Sequence, residues 1–177
     1  MEEVKKTNIS TKNLVIVALF IALSYVGSYL KLFGTIAFDS LPGFLAALVL
    51  GPVYGAAIGF LGHVFTALTS GFPMGPLHLV IAASMAITML GYGYTYKALV
   101  NRMPVAGALS ITGVVGVILN GPVSLALSIG FMAITIGTEA AMGLLALLPM
   151  LVIAAAANVA FSIVIFKSLS SVWKKII

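Results

Sequence analysis

The stretch from Leu41 to Thr69 constrains the fold more than any other part of the sequence. It contains no Lys, Arg, Asp or Glu and is interrupted by Gly51-Pro52. A single helix over this length would run about 43 Å, well beyond a hydrocarbon core of about 30 Å, whereas a break at Gly51-Pro52 gives two short helices. Because proline removes a backbone donor and glycine permits a reversal, a hairpin that turns within residues 51–55 is the alternative to a single span.

The distribution of Lys and Arg distinguishes these two arrangements, because these residues collect in the short cytoplasmic loops of membrane proteins. If 41–69 is a hairpin, Lys31 alone lies outside, and the residues that lie inside are Lys5, Lys6, Lys12, Lys97, Arg102, Lys167, Lys174 and Lys175. If 41–69 is a single span, every cation from Lys97 onward joins Lys31 outside, which leaves only the first three inside. The charge distribution therefore favours the hairpin, with residues 51–55 as its cytoplasmic turn.

This topology predicts an all-α integral membrane protein, a bundle of six transmembrane helices with cytoplasmic N- and C-termini. Apolar residues make up 62% of the chain and charged residues 7%, far from the averages of about half and about a quarter in soluble domains. Residues 1–177 are predicted to form a single membrane domain, and any ATPase must be a separate chain. The predicted spans are 14–32, 41–51, 53–69, 78–96, 104–127 and 143–166.

Several functional classes lack their sequence signatures. The net charge of +5 is explained by the positive-inside bias, so no nucleic acid partner is predicted. The chain has no cysteine, so it has no disulfide and no thiolate metal site. No P-loop, G-x-S-x-G or H-E-x-x-H motif occurs, which argues against an ATPase, a serine hydrolase and a zincin. We predict neither an enzyme nor a bound metal or other cofactor.

The polar groups that remain concentrate on the outer side of this topology. Polar side chains at membrane depth are costly and usually face a cavity or a partner. Their convergence predicts a substrate pocket that opens to the outside above an apolar inner half. The predicted substrate-binding residues are Lys31, Asp39, His63, His78, Asn120 and Glu139.

Each of these residues also has a purely structural explanation. A single histidine in a helix bundle commonly makes an interhelical hydrogen bond, which would account for His63. His78 and Asp39 sit where helix caps are expected, and Asn120 lies beside Gly121-Pro122, where it would satisfy backbone groups at a bend. Lys31 and Glu139 are equally explained as solvated loop charges. The residues alone leave both explanations open.

The first span carries a pair of small residues on one face. Ala18 and Ala22 lie four residues apart and are followed by Gly27. Small residues at this spacing let another helix approach closely, which is how helices associate in lipid. Alanine is abundant in this sequence, so the spacing by itself is not specific.

Taken together, these stretches resemble the S components of energy-coupling factor (ECF) vitamin transporters over essentially the whole chain. The matching segments are TKNLVIVALFIALSYV, DSLPGFLAALVLGPVYG and GFLGHVFTALTSGFP. The resemblance implies a substrate-binding subunit of an ABC importer in the prokaryotic cell membrane. It also implies that Ala18 and Ala22 dock on a transmembrane coupling subunit driven by two ATPase subunits. The metal-binding subgroup begins with Met-His, whereas this chain begins Met1-Glu2, so nickel or cobalt is not expected.

The substrate is predicted from the charges of the outer pocket. Lys31 is outnumbered there by Asp39 and Glu139, which favours a neutral or weakly basic heterocycle with hydroxyls. The pattern is most similar to S components for α-ribazole, and riboflavin, pyridoxine or hydroxymethylpyrimidine, and pantothenate stay open. Two other classes also stay open: a membrane scaffold subunit without a ligand, and a membrane-embedded enzyme that uses His63 and His78.

Overall fold

The chain is helical over most of the residues that the computed structural model describes, which are 11–29, 31–32 and 36–176. Its elements are α1 (Thr11–Tyr29), β1 (Lys31–Leu32), β2 (Ile36–Ala37), α2 (Leu41–Val49), α3 (Pro52–Thr69), α4 (Leu77–Leu99), α5 (Val105–Ile118), α6 (Ser124–Ile136), α7 (Thr138–Met142), α8 (Leu148–Ser168) and α9 (Ser170–Ile176). A π-helical segment (Leu119–Val123) joins α5 to α6, and a 3₁₀ segment (Gly143–Leu147) joins α7 to α8. Apart from the short antiparallel ladder of β1 with β2, the all-α prediction is confirmed for the described residues.

The chain reverses direction between α2 and α3. Gly51 has a φ of 110°, a left-handed conformation that favours glycine, and α3 begins with Pro52. The two arms lie side by side and antiparallel, because a β-carbon added to Gly55 would lie 2.6 Å from Ala47 and one added to Gly43 would lie 3.3 Å from Gly59. The hairpin expected from the charge distribution is therefore present, and one continuous helix over 41–69 is excluded.

Five helical segments within the described residues are long and apolar enough to cross a membrane. They are Thr11–Tyr29, Pro52–Thr69, Leu77–Leu99, Val105–Ile136 and Thr138–Ser168. The arm α2 has only 9 residues, so it spans about 14 Å of a hydrocarbon core of about 30 Å. The described residues therefore give five helical segments of crossing length, and the prediction of six crossing helices, with 41–51 as a short buried one, is not confirmed.

Two helix boundaries in the second half of the chain also differ from the predicted spans. The helix expected to end at 127 continues through the π segment to Ile136 and stops at Gly137, which has a φ of 95°. The expected outer connection 128–142 is consequently mostly helical. The last long helix begins at Leu148, five residues later than expected, because the 3₁₀ segment Gly143–Leu147 precedes it.

Contacts between helix ends show which ends lie together. The start of α1, the hairpin turn, the end of α4 and the end of α8 share one end of the bundle, which we call the turn end. The opposite end, which holds the loops before α2 and before α4, is called the cavity end. The contacts that define the turn end are Asn13 Nδ2 to Tyr54 Oη at 3.3 Å, Lys97 Nζ beside Gly51, and the rings of Tyr96 and Phe166 at 5.7 Å.

The core centres on Tyr92, which is fully buried on α4. Its ring lies 4.9 Å from that of Phe44 in an edge-on arrangement, and its hydroxyl lies 3.5 Å from Ser162 Oγ. A β-carbon on Gly116 would lie 2.7 Å from the Tyr92 ring and 3.2 Å from Phe44. The absence of a side chain at Gly116 therefore lets α5 approach these two rings.

We expect Gly116→Ala to lower the melting temperature of the purified protein in detergent, because the added methyl group overlaps the Tyr92 ring. Overpacking of this kind costs about 1–3 kcal/mol. Gly130→Ala on α6 is the matched control, since nothing lies within 4 Å of a β-carbon at Gly130. Alanine there should be neutral or slightly stabilising. Equal melting temperatures for the two variants in a thermal unfolding experiment would contradict this account of the core.

Candidate functional site

A cavity of about 260 Å³ lies at the cavity end of the bundle. Helices α3, α4 and α8, the π segment and the loop before α2 surround it. Its polar lining residues are Asp39, Ser40, His63, His78, Asn120, Ser124 and Asn158, and its apolar ones are Met74, Ile81, Met85, Leu151, Ala154 and Ala155. A polar recess of this kind inside an apolar helix bundle is unusual, because polar side chains at membrane depth are costly unless they face a cavity or a partner.

A row of polar contacts runs along one wall of the cavity. Asp39 Oδ2 lies 3.6 Å from His63 Nδ1, and His63 Nε2 lies 3.2 Å from His78 Nδ1. The backbone N–H of Met74 donates to His78 Nε2 at 3.4 Å. The row therefore links the loop before α2, helix α3, helix α4 and the loop between α3 and α4.

The Met74 amide fixes the protonation of both rings when they are neutral. Because His78 Nε2 accepts this hydrogen bond, the proton of neutral His78 lies on Nδ1 and is donated to His63 Nε2. The proton of neutral His63 then lies on Nδ1 and points toward Asp39. That Nδ1 is buried and has no hydrogen-bond partner within range among the described residues. The Asp39 carboxylate, 3.6 Å away, is the charged group that this Nδ1 faces.

Gly27 on α1 places Asp39 at the cavity. The Phe38 N–H donates to the Gly27 carbonyl at 3.0 Å, and a β-carbon on Gly27 would lie 2.9 Å from the Phe38 carbonyl carbon. The loop before α2 can therefore rest directly on α1 only because residue 27 has no side chain. Ser40, next in the chain, is buried, and its carbonyl accepts the N–H of Phe44 at the start of α2.

The loop between α3 and α4 places His78. Gly71, Phe72 and Gly75 all have positive φ, of 76°, 49° and 54°, so the chain turns tightly over residues 70–76. The His78 N–H bonds the Gly75 carbonyl at 3.2 Å, and the His78 ring packs edge on against Phe72 at 5.6 Å. His78 thus occupies the first turn of α4 with its ring turned toward α3.

The π segment places Asn120. Proline cannot donate to the helix ladder, and the wider π turn accommodates Pro122 without ending the helix. The predicted bend at Asn120-Gly121-Pro122 is thus a π segment within a continuous helix. Gly121 is buried, and a β-carbon there would lie 3.3 Å from Val152. The close approach of α8 brings Asn120 and Asn158 to the same cavity.

The structure brings together four of the six predicted substrate-binding residues. Asp39, His63, His78 and Asn120 all line the cavity. Glu139 lies on α7, is exposed and does not line it. Only the backbone of Lys31 is described, in β1, so its side chain lies outside the described part of the structure. A role for these residues in substrate binding stays a prediction.

The lining has three further polar residues, which are Ser40, Ser124 and Asn158. Asn158 is 1% exposed on α8, and its Nδ2 donates to the Ala154 carbonyl at 2.9 Å. Ser124 lies one turn after Asn120, and its Oγ is 2.7 Å from Ser84 Oγ on α4. The four-residue spacing of Asn120 and Ser124 is the sequence signal that places both on one helix face. Asn158 stands out as the only asparagine on α8.

The charge of the cavity lining is one-sided. Asp39 is its one carboxylate, and the described lining residues include no Lys or Arg. Within the described residues, no group of three or more His, Asp or Glu has an arrangement that could hold a metal ion. The site can therefore hydrogen-bond an uncharged polar molecule or receive a cationic group, whereas an anionic group would meet the Asp39 carboxylate.

A second feature lies on the outer surface of α1. Ala18 and Ala22 are exposed and line an apolar groove of about 490 Å³ between α1 and α3. The opposite side of α1 faces the bundle, with Ser24 buried beside Gly62 of α3. The groove wall also includes Phe65. The two alanines therefore leave a shallow, smooth strip on α1 that another helix can approach.

Comparison with known proteins gives one match. The model of a family described as "ECF transporter, substrate-specific component" matches residues 12–170. Neither a curated protein nor a solved structure matches the chain significantly. The family match confirms the resemblance that the sequence motifs indicated.

Proposed function

The chain belongs to the substrate-specific components of ECF transporters, and on that premise we propose that it is the high-affinity binding subunit of an importer for a vitamin or vitamin precursor. The best candidate is a neutral heterocycle or nucleoside such as α-ribazole. The observation that carries the proposal is the cavity lined by Asp39, His63, His78 and Asn120 inside an otherwise apolar bundle. A membrane scaffold without a ligand would have no need of such a polar recess.

The orientation of the bundle follows from its charges. Lys97 lies at the turn end beside Gly51, and Lys12 and Lys167 lie close to Asn13 and Phe166, which also mark that end. Because Lys and Arg favour the cytoplasmic side, the turn end is the inner one in this proposal. Both chain termini are then cytoplasmic, and the cavity faces the outside of the prokaryotic cell membrane.

The charge of the cavity ranks the substrates that the proposal leaves open. Uncharged hydroxylated heterocycles fit a lining of one carboxylate, two histidines and two asparagines. Riboflavin and pyridoxine or hydroxymethylpyrimidine are alternatives on this basis. Pantothenate is the least favoured, because its carboxylate would be repelled by Asp39.

The apolar groove on α1 is proposed as the docking surface for the transmembrane coupling subunit, which is driven by two ATPase subunits. Ala18 and Ala22 expose little more than backbone there, so a partner helix can approach closely in lipid, where hydrophobicity alone gives no drive for association. The groove runs along the outer side of α1, whereas the cavity lies inside the bundle. Docking and substrate binding therefore use different residues.

The proposal is tested by identifying the ligand of the purified protein. We expect native mass spectrometry in detergent to detect a carried-through small molecule that is uncharged or cationic. We also expect a member of a panel of α-ribazole, riboflavin, pyridoxine, hydroxymethylpyrimidine and pantothenate to raise the melting temperature, with pantothenate giving the smallest shift. A protein that carries no small molecule and shifts with no panel member would contradict the proposal.

A further inference from the structure

A second, smaller cavity adjoins the polar one. It has a volume of about 120 Å³ and lies between α4, α6, the 3₁₀ segment and the start of α8. The residues common to both cavities are Met74, Ile81, Ser124 and Leu151. The two cavities thus adjoin at these four side chains, and we treat them as two parts of one recess.

The second cavity presents an apolar surface. The side chains that belong to it alone include Leu125, Leu144 and Leu147. Its two hydroxyls are already engaged, because Ser124 Oγ bonds Ser84 Oγ at 2.7 Å and Ser128 Oγ donates to the Ser124 carbonyl at 2.9 Å. A molecule in this part would therefore find mainly hydrocarbon contacts and no hydroxyl proton free to donate to it.

The second cavity is too small to hold a typical small-molecule ligand by itself. Leu144 and Leu147 belong to the 3₁₀ segment Gly143–Leu147 and line the cavity. A pocket for a small organic molecule usually measures about 300–1,000 Å³. Either cavity alone is smaller than this, so a ligand of that size would need both.

We propose that the substrate is amphipathic, with a polar, hydroxyl-bearing part beside Asp39, His63 and Asn120 and an apolar ring system beneath Leu144 and Leu147. This inference rests on the proposed importer function and narrows its substrate class. A small single-ring molecule with polar substituents on all sides would leave the second cavity empty. A nucleoside-like molecule with an apolar aromatic base fills both parts.

The test fills the second cavity and leaves the polar one intact. Ser128 is buried and lines only the second cavity, so Ser128→Leu places a larger side chain there. Binding is measured by calorimetry in detergent with two probes: α-ribazole, which has a polar sugar and an apolar base, and pyridoxine, which is a single ring with polar substituents. We expect Ser128→Leu to raise the Kd of α-ribazole at least about tenfold and to leave that of pyridoxine unchanged.

Two further variants make this test decisive. Ala126→Leu adds the same bulk to the exposed face of α6 and should change neither Kd. If Ser128→Leu lowers the melting temperature, Leu144→Phe fills the cavity from the opposite wall and carries the same expectation. Equal effects on both probes, or no effect on α-ribazole, would overturn the two-part site. Wild-type protein that binds pyridoxine but not α-ribazole would overturn it and leave the importer proposal standing, whereas binding of neither probe would count against both.

Discussion

Leucine at both Ala18 and Ala22 is expected to lower the amount of coupling subunit that copurifies with this chain. Two leucines fill the strip that a partner helix must approach on α1. Overpacking costs about 1–3 kcal/mol per site, so the amount of complex should fall at least about tenfold. The measurement is affinity purification of the tagged chain coexpressed with the coupling and ATPase subunits, with the recovered coupling subunit quantified by mass spectrometry.

The control for this variant is a second pair of exposed alanines at the same spacing. Ala156 and Ala160 lie four residues apart on α8, and leucine at both positions adds the same bulk away from α1. This control should retain the complex. Substrate binding in detergent should survive in both double variants, because neither pair lines the cavity. Full recovery of the complex with leucine at Ala18 and Ala22 would show that the groove on α1 is not the docking surface.

Asp39→Asn is expected to weaken substrate binding about ten- to hundredfold. The variant keeps the shape of the side chain and removes the one carboxylate of the described cavity lining. A hydrogen bond to a charged group contributes about 1.5–3 kcal/mol, which corresponds to this range of Kd. The Kd is measured by calorimetry with the panel ligand that gives the largest thermal shift.

Glu139→Gln provides the matched control for the carboxylate. It makes the same chemical change at an exposed residue on α7 that does not line the cavity, so the Kd should stay at the wild-type value. Equal losses of affinity in both variants would indicate a long-range charge effect instead of a contact in the cavity. An unchanged Kd for Asp39→Asn would remove Asp39 from the proposed site.

The sequence was sufficient to predict the hairpin and most of the polar cavity. The hairpin depends on local chemistry, since Gly51-Pro52 stops a helix wherever it occurs, and the positions of the cations then exclude a single span. Once the topology is known, Asp39, His63, His78 and Asn120 must all lie toward the same end of the bundle. Their depth along each helix follows from counting residues, which requires no tertiary structure.

Other features depend on packing that the sequence does not display. The sequence predicts a short first arm at 41–51, but it does not show that the helix already ends at Val49. Pro122 indicates a disturbed helix, but whether a bend or a π segment results depends on the fit against Val152. The sequence predicts Glu139 at the pocket because the topology places it on the outer side of the membrane. The short α7 holds it on the exposed surface, away from the cavity.

The row of contacts from Met74 through the two histidines has a further consequence. A backbone amide can only give a proton, so the dipoles of the two rings are aligned head to tail, with their positive ends toward Asp39. The two histidines therefore connect the loop before α2 with the loop between α3 and α4 through polar contacts that all have the same direction. A movement that draws Met74 outward would remove this donor, and the tautomers of the two rings would then no longer be fixed.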